Sequence, residues 1–132
     1  MTIYRLPKRG PAKTSDYLSQ AIGAGAYLDV ISVDGSGELD ELMVLSPNTN
    51  FGVTLATDGT TILSKTYTQL NALTQSLRFV SAFAEVDESG TATGKYLIHI
   101  KGISFLESLV ARVTNTGGAS ATFDIFGKYT LS

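Results

Sequence analysis

The amino-acid sequence predicts an all-β protein: an antiparallel β-sandwich, jelly-roll-like, of about eight strands with one short helix and an extended N-terminal arm. Three observations carry that expectation. Short apolar runs with period-two alternation recur from Tyr27 onward. Turn chemistry rich in Gly, Asp, Asn and Ser separates them at intervals of roughly 8–12 residues. No run is followed by the helix of a βαβ unit. The 132 residues suffice for one domain with its own core, and 43% hydrophobic against 17% charged residues excludes a disordered chain.

Residues 1–25 read as an extended basic arm and hinge, and residues 26–132 as the sandwich. MTIYRLPKRGPAK shows neither helical nor strand periodicity, and Pro7 and Pro11 favour an extended course without backbone donors. A short helical turn over TSDYLSQAI follows, with Thr14 or Ser15 as its N-cap and Asp16 in its first turn. GAGA at 23–26 acts as the hinge.

The strands come next. YLDVISV is ended by DGSG at 34–37, and LDELMVL (39–45) is closed by SPNTN, where Pro47 and two asparagines suit a loop. FGVTLA (51–56) places Phe51, Val53 and Leu55 on one face, and TDGT turns it back into TILSKT as a hairpin. In YTQLNALTQSL (67–77), Leu70, Leu73 and Leu77 recur at helical spacing, which predicts a short amphipathic helix across one end of the sandwich. RFVSAFAEV (78–86) alternates again. KYLIHIKG (95–102) puts Tyr96, Ile98 and Ile100 on one face and His99 on the other. SFLESLVARVTN (104–115) and ATFDIFGKYTL (121–131) complete the set.

Few residues invite chemistry. There is no cysteine, hence no disulfide, thiol nucleophile or cysteine-ligated zinc. His99 is the single histidine, and no motif supplies it with a nucleophile and an orienting acid, so it reads as an exposed or edge strand residue and the chain as no enzyme. DGSGELDEL, with Asp34, Glu38, Asp40 and Glu41, departs from the calcium loop of an EF-hand after its first residue. It reads as a solvated turn and a charged strand edge, with a calcium site of another kind between loops left open. The glycines fall in turns and match no phosphate-binding pattern. No cofactor and no resident metal are expected. No apolar run is long enough to cross a bilayer as a helix, and no signal-peptide core follows the basic N-terminus.

Charge is divided unevenly. The net charge is −2, yet residues 1–25 hold Arg5, Lys8, Arg9 and Lys13 against Asp16 alone, a net of +3 that leaves −5 on the remainder. Four bases favour phosphate contacts, but an acidic body argues against a dedicated nucleic-acid binder. Ile3, Tyr4 and Leu6 beside Arg5, Lys8, Arg9 and Lys13 read as a partner-docking arm, apolar anchors with a basic rim, that gains order on a neighbouring subunit.

GISFLESLVARVTNTGGASATFDIFGKYTLS resembles the closing hairpin of small β-sandwich proteins of tailed phages: an aromatic, a Ser-Leu strand ending in Asn, a Gly/Ser/Ala turn and a final aromatic strand. GSGELDELMVLSPNTNFGVTLATDGTTI is similar to another pattern of phage virion proteins, a Gly-rich turn leading into a strand and a second strand ending in an Asp-Gly hairpin. The resemblance implies a virion protein: head decoration or cement, a head–tail or tail component, or a module of a receptor-binding fibre. It carries over no functional residue. The expected function is a structural subunit of a virus particle that binds copies of itself, a trimer being favoured, and other virion proteins such as a major capsid protein. The alternative is a carbohydrate- or receptor-binding module with loops 46–50, 87–94 and 115–120 as its contact surface.

Overall fold

Residues 10–73 and 78–132 are described by a computed structural model, and among them nine strands and one helix follow in order. The strands are β1 (Ala12–Ile22), β2 (Tyr27–Asp34), β3 (Gly37–Ser46), β4 (Phe51–Thr57), β5 (Thr60–Thr66), β6 (Val80–Val86), β7 (Ala92–Phe105), β8 (Ser108–Asn115) and β9 (Ala121–Leu131). The helix α1 (Tyr67–Leu73) lies between β5 and β6. They form a five-stranded sheet, β1-β9-β3-β7-β6, and a four-stranded sheet, β2-β8-β4-β5.

That order has a simple origin. β4 with β5, β3 with β7, β2 with β8 and β1 with β9 are all antiparallel pairs, so the chain is one long hairpin whose strands pair from the tip outward. Rolling the hairpin sends alternate pairs to opposite sheets, which is the jelly roll. β6 is an addition to this plan, attached outside β7 at the sheet edge. The tip is the Asp58-Gly59 turn, where φ is +55° and +79°; two successive positive φ values are what a tight Asp-Gly hairpin requires.

The core lies between the sheets. Phe51, Val53 and Leu55 of β4 meet Leu42 and Val44 of β3, Ile98 and Ile100 of β7, and Phe123 and Ile125 of β9, all buried. Alternation along each strand sends one face inward, as a two-layer sandwich demands. Helix α1 closes one end of it. Tyr67 stacks on Phe51 with ring centroids 5.6 Å apart and meets Tyr96 edge-on at 5.3 Å. Thr66 accepts the Gln69 amide proton on Oγ1 at 3.3 Å, and Gln69 Oε1 accepts that of Thr66 at 3.0 Å, a reciprocal cap at the helix start. Of the three leucines expected on its apolar face, Leu70 is buried, Leu73 is 39% exposed at the last helical residue, and Leu77 lies outside the described residues.

Two expectations need correction. Residues 12–22 are not arm or helical turn but β1, paired with β9 on both sides of a bulge, so the sandwich begins well before residue 26. β1 is an edge strand with few buried side chains, and a bulge between Tyr17 and Gln20 breaks its alternation. Ser19 adopts φ +52° there, and its amide donates to Asp124 Oδ1 at 2.8 Å. The second correction concerns 104–115: Ser104 and Phe105 finish β7, Leu106 and Glu107 turn, and β8 starts at Ser108. The turn is fixed from a distance, because Asp58 Oδ1 accepts the amide protons of Leu106, Glu107 and Ser108 at 3.0, 2.6 and 3.2 Å.

Candidate functional site

A sandwich needs apolar side chains only on its inner faces. The outer face of the five-stranded sheet departs from that economy. Its cross-strand registers place three rows side by side. In one row Lys128 of β9, Glu41 of β3 and Lys101 of β7 are neighbours. The next carries Asp16, Phe126, Met43, His99 and Ser81 on β1, β9, β3, β7 and β6. The third carries Asp124, Leu45, Leu97 and Phe83. The β1 bulge adds Leu18 beside Asp124.

An apolar band therefore crosses all five strands on the side away from the core: Leu18, Phe126, Met43, Leu45, Leu97 and Phe83. Leu18 is 82% exposed and Phe83 44%, whereas Leu97 between Leu45 and Phe83 is only 6% exposed, although it does not belong to the inter-sheet core. Between β1, β9 and β3 the band dips into a shallow groove lined by Leu18, Met43, Leu45, Asp124, Ile125 and Phe126. Polar groups border it. Asp124 holds the Ser19 amide and lies 3.6 Å from Lys95 Nζ, and Asp16 is exposed opposite Phe126.

His99 faces outward, as expected from its alternation with Ile98 and Ile100, and its Nε2 is 2.9 Å from Glu41 Oε1. Ser81 stands opposite it across the β6–β7 pair, but no hydrogen bond joins the two. Glu41 thus orients the imidazole on an open sheet face, next to Ser81 but without a hydrogen bond to it. Two acids of the 34–41 stretch have separate structural partners: Asp40 Oδ2 accepts the Thr130 hydroxyl at 2.6 Å, and Glu41 bonds His99. Among the described residues no three or more Asp, Glu or His side chains converge as metal ligands.

Elsewhere the charged pairs brace the sheets. Arg112 Nε donates to Asp29 Oδ1 at 2.7 Å and its guanidinium lies 3.8 Å above the Tyr27 ring; the Asp29 hydrogen bond holds Arg112 protonated above its usual range. Burial, reinforced by Tyr96, raises the Tyr67 phenol above the ordinary tyrosine value. Backbone donors, that of Glu107 first, hold the Asp58 carboxyl below the ordinary aspartate value.

Of the residues singled out for docking, Lys13 sits exposed in β1 opposite Tyr129, in the sheet rather than on a free arm. Ile3, Tyr4, Arg5, Leu6, Lys8 and Arg9 lie outside the described residues. Loops 46–50 and 115–120 do meet, through the Thr116 amide and the Asn50 carbonyl at 3.0 Å. The β6–β7 turn at 87–91 extends past the same end, while 92–94 belong to β7. The outer band was missed at the level of sequence. Its visible signs were apolar residues of the wrong parity: Met43 and Leu45 alternating with Leu42 and Val44, Leu97 between Tyr96 and Ile98, and Phe126 after Ile125.

No family model and no curated protein matches this chain. Among solved structures it is similar to the "Structure of infectious bursal disease virus Gx strain", with a TM-score of 0.43 and 13% sequence identity over 99% of this chain. The chain spans 36% of the length of that one.

Proposed function

We propose that this protein is a non-catalytic structural subunit of a virus particle, a decoration, cement or other head or tail component, that packs against copies of itself and against other particle proteins. The observation that carries this reading is the apolar band on the outer face of the five-stranded sheet. Such a band contributes nothing to the inter-sheet core, and an apolar strip rimmed by polar groups is the ordinary mark of a protein interface. The jelly roll is an architecture that virus capsids share with lectins and other binding proteins, and the virion-like stretches at 35–62 and 102–132 favour the first of these. Mass spectrometry of particles purified by sedimentation and stripped of loosely bound protein tests the proposal. The chain should be present at many copies per particle, and its absence from intact particles would overturn the reading.

A further inference from the structure

The outer band raises the question of what covers it. We infer that the groove between β1, β9 and β3 receives the N-terminal segment MTIYRLPKR of a neighbouring copy. Ile3, Tyr4 and Leu6 lie against Leu18, Met43, Leu45 and Phe126, and Arg5, Lys8 and Arg9 face the bordering carboxylates. The inference rests on the reading above, that copies of the chain assemble.

Three features support this occupant. The first is composition: the nine residues hold three apolar anchors, three bases and no acid. The groove offers apolar walls, with Asp124, already 3.6 Å from Lys95 Nζ, in its lining. Asp16, exposed opposite Phe126, is the carboxylate for an incoming base, so both apolar and charged parts find complements. The second is backbone chemistry. Pro7 withholds a donor and keeps the segment extended, which suits a strip laid along a sheet face rather than a strand added to its edge.

The third is reach, which assigns the groove to a different copy. The Gly10 amide donates to the Leu131 carbonyl at 2.8 Å, so the segment starts from the end of β9 remote from the groove. Leu18 lies beside Asp124, seven residues along β9 from Leu131, or about 23 Å. A chain doubling back at Gly10 spends two or more residues in the turn. That leaves Ile3 about 17 Å of reach and Leu6 about 7 Å. Phe126 at the near end of the groove is five residues from Leu131, about 17 Å, so Ile3 alone could touch it there. Tyr4 and Leu6 fall short, and Leu18 lies beyond all three; a neighbour's segment has no such restriction.

Because the chain lacks cysteine, a disulfide-trapping experiment can be run on the full-length protein. Differently tagged Leu6→Cys and Leu18→Cys chains are mixed under mild oxidation, with Ile62→Cys, exposed on β5 of the other sheet, replacing Leu18→Cys as the control acceptor. Both acceptor positions are exposed, so the fold tolerates the change. The mixed 6–18 crosslink should form at least about tenfold faster than the 6–62 crosslink, as expected when docking raises the local thiol concentration. Adding Asp16→Lys to the acceptor should reduce that preference. Equal rates for the two acceptors would overturn the inference. So would an 18–18 crosslink that outpaces 6–18, since it would indicate that two bands meet face to face. The particle assay is independent: a chain abundant in particles but without 6–18 preference keeps the virion reading and loses only the seat of the segment.

Discussion

Asn115, at the end of β8, shows how much one buried polar side chain can organise. It is 1% exposed, and its Nδ2 donates to the carbonyls of Ile22 and Ala119, both at 2.9 Å. Its Oδ1 accepts the Gly117 amide, and its own amide donates to the Ala26 carbonyl. The end of β1, the β1–β2 turn and the β8–β9 turn are thus tied to one residue. Asn115→Ala strands these buried groups and should cost about 1–3 kcal/mol, read as a lowered midpoint in urea unfolding with an unchanged slope. Asp58 plays a similar part at the opposite end, but exposed and charged. Its carboxyl titrates lower in the folded chain than in the unfolded one, so the stabilisation it provides is complete above the ordinary aspartate range. That stabilisation is lost as pH falls through the folded-state value. Asp58→Asn keeps a residue suited to the hairpin turn and should lower Tm at neutral pH. The gap to the parent should close progressively on acidification, as thermal melts across a pH series would show.

At the scale of elements, β1 matters most, because it turns β9 from an edge into an interior strand. Deleting residues 1–22 should expose the whole β9 ladder and convert the protein to an associating species, seen by size exclusion and by loss of cooperative melting. β1 was also the element least legible in the sequence. Its core-side positions are Ser15, Tyr17, Gln20 and Ile22, a mixed set whose parity changes at the bulge, so no alternation survives to be read. β4 was plain because Phe51, Val53 and Leu55 all face the core. The β7–β8 boundary failed for a different reason: the turn at Leu106 and Glu107 is stabilised by Asp58, nearly fifty residues away, and no local signal marks it. The helix was legible from Leu70, which is buried as its spacing predicts, whereas its other buried residue, Tyr67, and the Thr66–Gln69 cap in TYTQ were not read. The outer band could not be read in advance, since it exists only once Phe126, Met43, Leu45, Leu97 and Phe83 are set in register by strands distant in sequence.

At the scale of the whole molecule, the nested pairing makes the two sheets unequal. One carries an apolar band outward and the other holds the Arg112–Asp29 pair with Tyr27 beneath the guanidinium. The same nesting brings the outermost strands together, with Gly10 bonded to Leu131 across the β1–β9 pair. Sequence order around the roll is therefore almost cyclic. A short Gly/Ser bridge from residue 132 to residue 10, with new ends cut between Ser89 and Gly90 in the exposed β6–β7 turn, would preserve every antiparallel pair while relocating where the chain starts. Such a circular permutant should fold with a far-ultraviolet spectrum like that of the parent. It would offer attachment points for cargo at the far edge of the five-stranded sheet, away from the groove.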